Sequence, residues 1–493
     1  MAPHTDFTRP PSPDAEQPIN MERSKRSKVP CAVFVHAGAG YHSRENEAKH
    51  LKACSESTRA GMIVLQTGAT AVEAVEMALS MLEDNPITNA GYGSNLTAKG
   101  VVECDASIMD HLGRSGAAGA VPNVKNPIML ARKIYDEAYR SPGMSRVPPN
   151  FIVGEGATEF AWDHNIPTIP PHALITDAAR ERWTIWTREI EEFEADRARW
   201  QKEPVPTWVR SPTGHGSPAP AGVAHGTPPV LGRSDARTAS TSQLNPDNDI
   251  DLLVSGSTMD GVLPRVKSQS TDEIPSYSKS GWEKYPNNPT DDENGEDRIT
   301  DTVGAIAIDR WGNIAAGSSS GGIGMKHRGR VGPAALIGIG THVIPADPAD
   351  PEHTTTAVVT SGTGEHIAST LAASTCATRI YYGQKMGPNG VFEPVSEEEA
   401  LHSMISNEFT DHPAVQNSEV GGSIGILAVK KTNEGIGLFF AHNTESFAVA
   451  SMAAGDLEPQ TVMSRGRKNG SIAQGGLMIR PRKTRSRHQK VQN

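Results

Sequence analysis

The strongest constraint on this chain is an interruption. Residues 204–300 hold 12 of the 36 prolines and are rich in Ser, Thr, Asn, Asp and Gly. Such a composition buries too little apolar surface to offset the entropy of ordering. A structureless stretch of that length is also improbable inside a compact domain. We therefore read 204–301 as a disordered insertion, broken by one apolar island, "IDLLVSGSTMDGVLP" (250–264). It ends abruptly: "ITDTVGAIAID" (299–309) passes from acidic, loop-like residues through Thr302 into an apolar, β-rich run. Patterned sequence lies on both sides, so the two ordered parts must complete one layered domain.

"VPCAVFVHAGAG" (29–40) reads as a buried strand running into a glycine turn. Residues 46–84 favour helix, with Val72, Val75, Ala78, Leu79 and Leu82 at helical spacing. A loop (85–100), a strand (101–110) and a helix (126–140) with Pro127 near its start follow. Residues 177–202 predict a long charged helix, whose Trp183, Trp186, Ile190, Phe193 and Trp200 fall on one stripe. Packing on the main domain is the plainer reading of that stripe, a partner-binding helix the sharper one. After Thr302 come two strands joined at "DRWGN", a strand–turn–helix over 357–382, and a hairpin over 421–444 turning near Asn433.

Composition narrows the function. A net charge of −10 argues against a general nucleic-acid binder. The first twenty residues contain no apolar core of a secretory signal, and no apolar run is long enough to span a membrane. Cys31, Cys54, Cys104 and Cys376 lie far apart with no metal-ligand spacing, which predicts a reduced intracellular setting and no metal. The glycine-rich "GSSSGGIGMKHRGRVG" (317–332) lacks the Lys-Ser/Thr ending of a phosphate loop, because His327 follows Lys326. His36 in "HAGAG" reads as a structural histidine, and the "NLT" triplet at Asn95 carries no weight without secretion.

Thr302 is different. A threonine becomes a good nucleophile when it heads a chain, because its own α-amino group then serves as base. That requires a cut between Asp301 and Thr302, and a flexible segment followed by a rigid strand supplies the setting. Gly304 and Ala305 are small enough to leave room for a substrate.

"HAGAGYHS", "NAGYGSNL", "ECDASIMD", "DTVGAIAID", "GNIAAGSSSGG", "KHRGRVG" and "TSGTGEH" stand in this order along the chain. In that series the chain resembles the type 2 asparaginase family of N-terminal nucleophile hydrolases. It looks most like that family's threonine aspartase (taspase) branch, over roughly 30–170 and 300–450. The resemblance implies an α+β fold, a four-layer αββα sandwich, matured by self-cleavage at Asp301–Thr302. It implies an α part over 29–203 and a β part over 302–478, with a tail at 1–28. By the same resemblance Thr302 is the nucleophile and Ser320 supports its hydroxyl. Arg330 grips a substrate carboxylate, Ser361 and Gly362 form the oxyanion hole, and Gly364 contacts substrate. No cofactor is implied, and paired αβ units are.

One departure separates substrates. Plain asparaginases carry, after "GRVG", an Asp that holds the substrate's free α-amine; here that position is Pro333. An aspartate inside a peptide has no free α-amine and loses nothing, so Pro333 predicts an endopeptidase cutting proteins after aspartate. Asp301 fits the same rule. The alternatives are an L-asparaginase or isoaspartyl peptidase on the same fold, and an unprocessed scaffold. "STMDGV" (257–262) predicts a second self-cut after Asp260. The basic tail 479–493, with six Lys/Arg and no acid in 480–490, reads either as a solvated end or as a nuclear import signal.

Overall fold

The computed structural model describes residues 27, 29–140, 143–200, 302–466 and 471–481. The 204–301 insertion with its island, Asp260 and Asp301, and nearly all of the two terminal tails lie outside the described residues. In chain order the elements are β1 (Ala32–Gly40), α1 (Glu47–Thr67), α2 (Ala71–Glu83), β2 (Cys104–Asp110), β3 (Ser115–Val121), α3 (Pro127–Ala138), β4 (Phe151–Val153), α4 (Gly154–Asp163) and α5 (Asp177–Trp200). After the insertion come β5 (Val303–Ile308), β6 (Ile314–Ser320), β7 (Thr341–Ile344), β8 (Thr355–Gly362), α6 (Gly364–Ser369), α7 (Ala372–Tyr382), β9 (Gln384–Met386) and β10 (Phe392–Pro394). The chain ends with α8 (Glu397–Ser403), α9 (Pro413–Gln416), β11 (Ile424–Thr432), β12 (Gly435–His442), β13 (Ser446–Ala453), β14 (Gln460–Arg465) and β15 (Ala473–Ile479).

Two sheets carry the fold. One has the order β14-β13-β1-β5-β6-β2-β3-β4, the other β15-β12-β11-β8-β7. Strand β5 lies antiparallel between β1 and β6, so the half after the insertion is threaded into the middle of the half before it. Its alternate residues go to different cores. Val303, Ala305 and Ala307 pack with Val33, Val35, Ile108 and helix residues Val75, Leu79 and Leu82. Ile306 and Ile308 pack with Phe34, Val359, Leu427 and Val429, between the two sheets. The outer face of the second sheet, through Ile424, Ile426 and Ala428, buries Ile367, Cys376, Ile380, Leu401 and Phe409. The layers therefore run helix, sheet, sheet, helix. Burial on both faces explains the unbroken apolar run in β5. Ile306→Ala would cost about 2–5 kcal/mol through lost burial and a cavity.

The helical stretch expected over 46–84 is two helices. Gly68 adopts φ +101° and closes α1, its N–H donating to Leu65 O, and Thr70 opens α2 with a capping box to Glu73. The hydrophobic spacing runs across this break and conceals it. Helix α5 packs on the main domain through its first half, as the plainer reading expected. Trp183 Nε1 donates to Thr97 O at 3.1 Å, and the Trp186 ring fills the space a side chain on Gly324 would need. Ile190 is exposed. Asn95 is buried, which makes its "NLT" triplet a structural feature. Among the described residues no helix is long and apolar enough to cross a membrane.

Candidate active site

The segments that resemble the family converge at one end of β5. Thr302 sits just before the strand and is buried, 6% exposed. Its backbone N–H donates to Ser361 Oγ at 3.2 Å. Ser361 lies near the end of β8 in the other sheet, and its Oγ also accepts from Ala39 N at 3.0 Å. One hydroxyl thus ties β1, β8 and the start of β5 together. This engages Ser361 Oγ with the nitrogen of Thr302, the atom that would become a free amine after cleavage. On the other side, Val303 pairs with Ser319, a register that brings Ser320 opposite Thr302. Ser320 Oγ accepts from Gly322 N at 3.0 Å.

Gly321 and Gly322 turn the chain away from β6, Gly322 with φ +73°. Asn89 and Asn95, from "NAGYGSNL", clamp this turn. Gly321 N donates to Asn89 O at 2.7 Å, Asn89 Nδ2 donates to Gly322 O at 2.8 Å, and Asn95 Nδ2 reaches the same oxygen at 3.3 Å. Gly362 has φ +137°, and a side chain there would collide with Ser423 O.

The "KHRGRVG" loop is pinned by two acids of "ECDASIMD". Glu103 accepts from Arg328 Nε at 3.1 Å and from Gly329 N at 2.7 Å. Asp105 accepts from Gly332 N and Ala120 N, both at 2.8 Å. Lys326 is buried too, donating to Glu103 O at 2.7 Å and standing 3.8 Å from Asp105. Burial holds the Asp105 carboxyl above its usual range, against the opposing pull of Lys326, two backbone N–H groups and Arg330.

This scaffold aims Arg330 at the site. Its guanidinium lies beside Gly322 and Gly332, and a side chain on Gly364 would collide with it. It donates twice to one oxygen of Glu365, from Nε at 3.0 Å and Nη2 at 2.8 Å. Glu365 is mostly exposed, whereas Arg330 is mostly covered. A carboxylate, that of Glu365, therefore already engages both of these Arg330 donors. Pro333 is buried with its ring packed on Gly364, so the surface at that position beside Arg330 is apolar.

Gly304 does not make room for a substrate. A β-carbon on it would collide with His36 Nε2, so the absent side chain accommodates a histidine ring. His36 is completely buried, and neither of its ring nitrogens has a hydrogen-bond partner among the described residues. Burial pushes its pKa down to about 3, which keeps the ring neutral. The adjacent Ala305 packs into the core on the helix side of the sheet, so it leaves no open space either.

A family model described as asparaginase matches residues 29–207 and 258–401. The chain belongs to the type 2 asparaginase family. Membership carries the N-terminal nucleophile hydrolase fold and makes the chain a hydrolase. It is 27% identical to an isoaspartyl peptidase/L-asparaginase of Xenopus laevis over 403 residues, 82% of this chain and 86% of that protein. It is 26% identical to an isoaspartyl peptidase of Salmonella typhimurium over 71% of this chain and 79% of that one. An isoaspartyl peptidase/L-asparaginase of Danio rerio is 40% identical over 154 residues, only 31% of this chain and 46% of that protein.

Within this family member the structure brings Thr302, Ser320, Ser361 and Arg330 to one end of the sandwich, with Gly362 and Gly364 beside them; Asp301 lies outside the described residues. Sequence reasoning passed over Asn89, Asp105, Glu83 and Glu365. Asn89, Asp105 and Glu365 stand inside quoted motifs and Glu83 at the end of α2, but what each holds is set by segments remote in sequence. Glu83 is the least legible. It is fully buried at the end of α2, accepts from Ser319 Oγ at 2.6 Å and Ile128 N at 2.9 Å, and burial pushes its carboxyl up to about 8.

Proposed function

We propose that this chain is a Thr302 hydrolase of aspartyl substrates, matured by a cut between Asp301 and Thr302. The freed α-amine takes the proton of Thr302 Oγ, which attacks the carbonyl carbon. The tetrahedral intermediate collapses, the C–N bond breaks, and the leaving amine carries that proton away. Water then hydrolyses the ester and restores the threonine. Ser361 Oγ holds the Thr302 nitrogen in place, and Arg330 takes the substrate carboxylate by displacing Glu365.

Two substrate classes fit this machinery. The names of the relatives, isoaspartyl peptidase and L-asparaginase, support the first, and across the whole chain that similarity is the broader support. The local geometry supports the second, cleavage of proteins after an internal aspartate. The single observation behind it is Pro333: its ring, packed on Gly364 beside Arg330, offers no charge to a free substrate amine at that position. A buried ammonium left without its partner loses about 2–5 kcal/mol. On the site alone, we take cleavage after aspartate as the activity. The test gives the matured protein L-asparagine, a β-aspartyl dipeptide and an internal Asp-Gly peptide side by side. The Asp-Gly peptide should show the highest kcat/KM; faster ammonia release from asparagine would return the chain to the activity its relatives are named for.

A further inference from the structure

The opposite end of β5 holds a second site. Strand β5 rises about 3.3 Å per residue, which puts its far turn, beginning at Asp309, about 23 Å from Thr302. Beside that turn is a cavity of about 550 Å³. His111, Trp311, Asn313, His353, Lys431 and Asn433 line it, and no described residue of its lining is acidic.

Lys431 is the unusual member. It lies near the end of β11 and is only 8% exposed. Its ammonium has three N–H donors. Among the described residues it has one acceptor, Gly312 O at 3.0 Å, and no carboxylate at ion-pair distance. Asp309 is nearby, but its two oxygens already accept from Trp311 N, Asn313 N, Asn313 Nδ2 and Ala71 N. Burial accordingly holds its pKa below the usual lysine range, with the Asp309 carboxylate opposing. A buried cation is ordinarily paired. Here the remaining donors, with two imidazoles and two side-chain amides, border an open volume within the range of small-molecule sites.

We propose that this cavity binds a small metabolite with an oxyanion head, phosphate or carboxylate, seated on Lys431 between His111 and His353 with its body against Trp311. The site lies on turns that take no part in the chemistry at Thr302, so its occupancy stands or fails independently of the hydrolase reading. The probes are inorganic phosphate and succinate, titrated calorimetrically into the full chain and into Lys431→Met, His111→Gln and Arg330→Met. The wild-type chain should bind one of the two, and which one identifies the head group. Lys431→Met should weaken that binding by about tenfold or more, because it removes the ammonium the anion pairs with. Arg330→Met should leave the Lys431-dependent part of that binding unchanged, whatever it does to carboxylate binding near Thr302. If Lys431→Met fails to fold, His111→Gln carries the test with a smaller loss in the same direction. The proposal is overturned if neither anion binds the wild-type chain. It is also overturned if the folded Lys431 and His111 variants bind as tightly as wild type, or if the loss appears in Arg330→Met instead.

Discussion

The two ends of β5 handle buried charge in opposite ways. At the Thr302 end Lys326 is enclosed with Asp105 and the Glu103 carbonyl, and the two acids fix the loop that aims Arg330. At the far end Lys431 has one carbonyl and an open cavity. Both lysines are buried and both stand beside a turn of the same strand system. The difference teaches that burial alone does not define a role. A cation whose partners are supplied by the fold serves architecture, while one whose partners are missing has donors left for something else.

The sharpest way to break this comparison is to remove each cation in turn. Lys326→Met should destabilise the protein by about 3–5 kcal/mol in urea unfolding, because it leaves Asp105 buried without its cation. Lys431→Met should be neutral or slightly stabilising, since it leaves no buried acid uncompensated. Equal costs would erase the distinction. Next in size is the apolar wall. Pro333→Asp should raise the ratio of asparagine hydrolysis to Asp-peptide cleavage by about 10- to 100-fold, by restoring a partner for a free amine. An unchanged ratio in a folded variant would remove Pro333 as the determinant.

Glu83 gives a smaller effect with a defined sign. Its carboxyl is raised to about 8 in the folded protein, against 4.5 for an ordinary glutamate. Between those values the folded state keeps a proton that the unfolded state has released. Stability from this group is therefore present at low pH and lost as pH rises through about 8. Glu83→Gln should flatten the pH dependence of urea midpoints in that window; an unaltered slope would contradict the shift. The smallest effect belongs to Glu365. Exposed pairs contribute about 0.2–1 kcal/mol, so Glu365→Gln should lower KM for an acidic substrate up to about fivefold and leave kcat unchanged. A fall in kcat would instead give Glu365 a part in the chemistry.

Much of the first end was legible in the sequence, and almost none of the second. Thr302, Ser320, Arg330, Ser361 and the glycines stand inside short motifs, each with its own chemical character. Strand β5 was legible because both of its faces are buried. The break at Gly68 was not, since hydrophobic spacing continues past it. Gly304 was misread because a missing side chain looks the same whether substrate or a neighbouring ring fills the space. Here the ring comes from His36, far off in sequence but adjacent across the β1–β5 ladder. The Lys431 cavity was hidden for the same reason: its lining comes from stretches far apart in sequence that only the sandwich brings together.

The central claim is that Thr302 must become a chain terminus before it can act. N-terminal sequencing of the fragments formed by the purified wild-type protein, alongside Thr302→Ala, tests it most directly. The account predicts a fragment beginning Thr302-Val303-Gly304 whose appearance parallels the rise of hydrolase activity, and a variant that stays whole and inactive. A wild-type chain that hydrolyses substrate while intact, or a cut elsewhere that leaves Thr302 internal in the active protein, would contradict it.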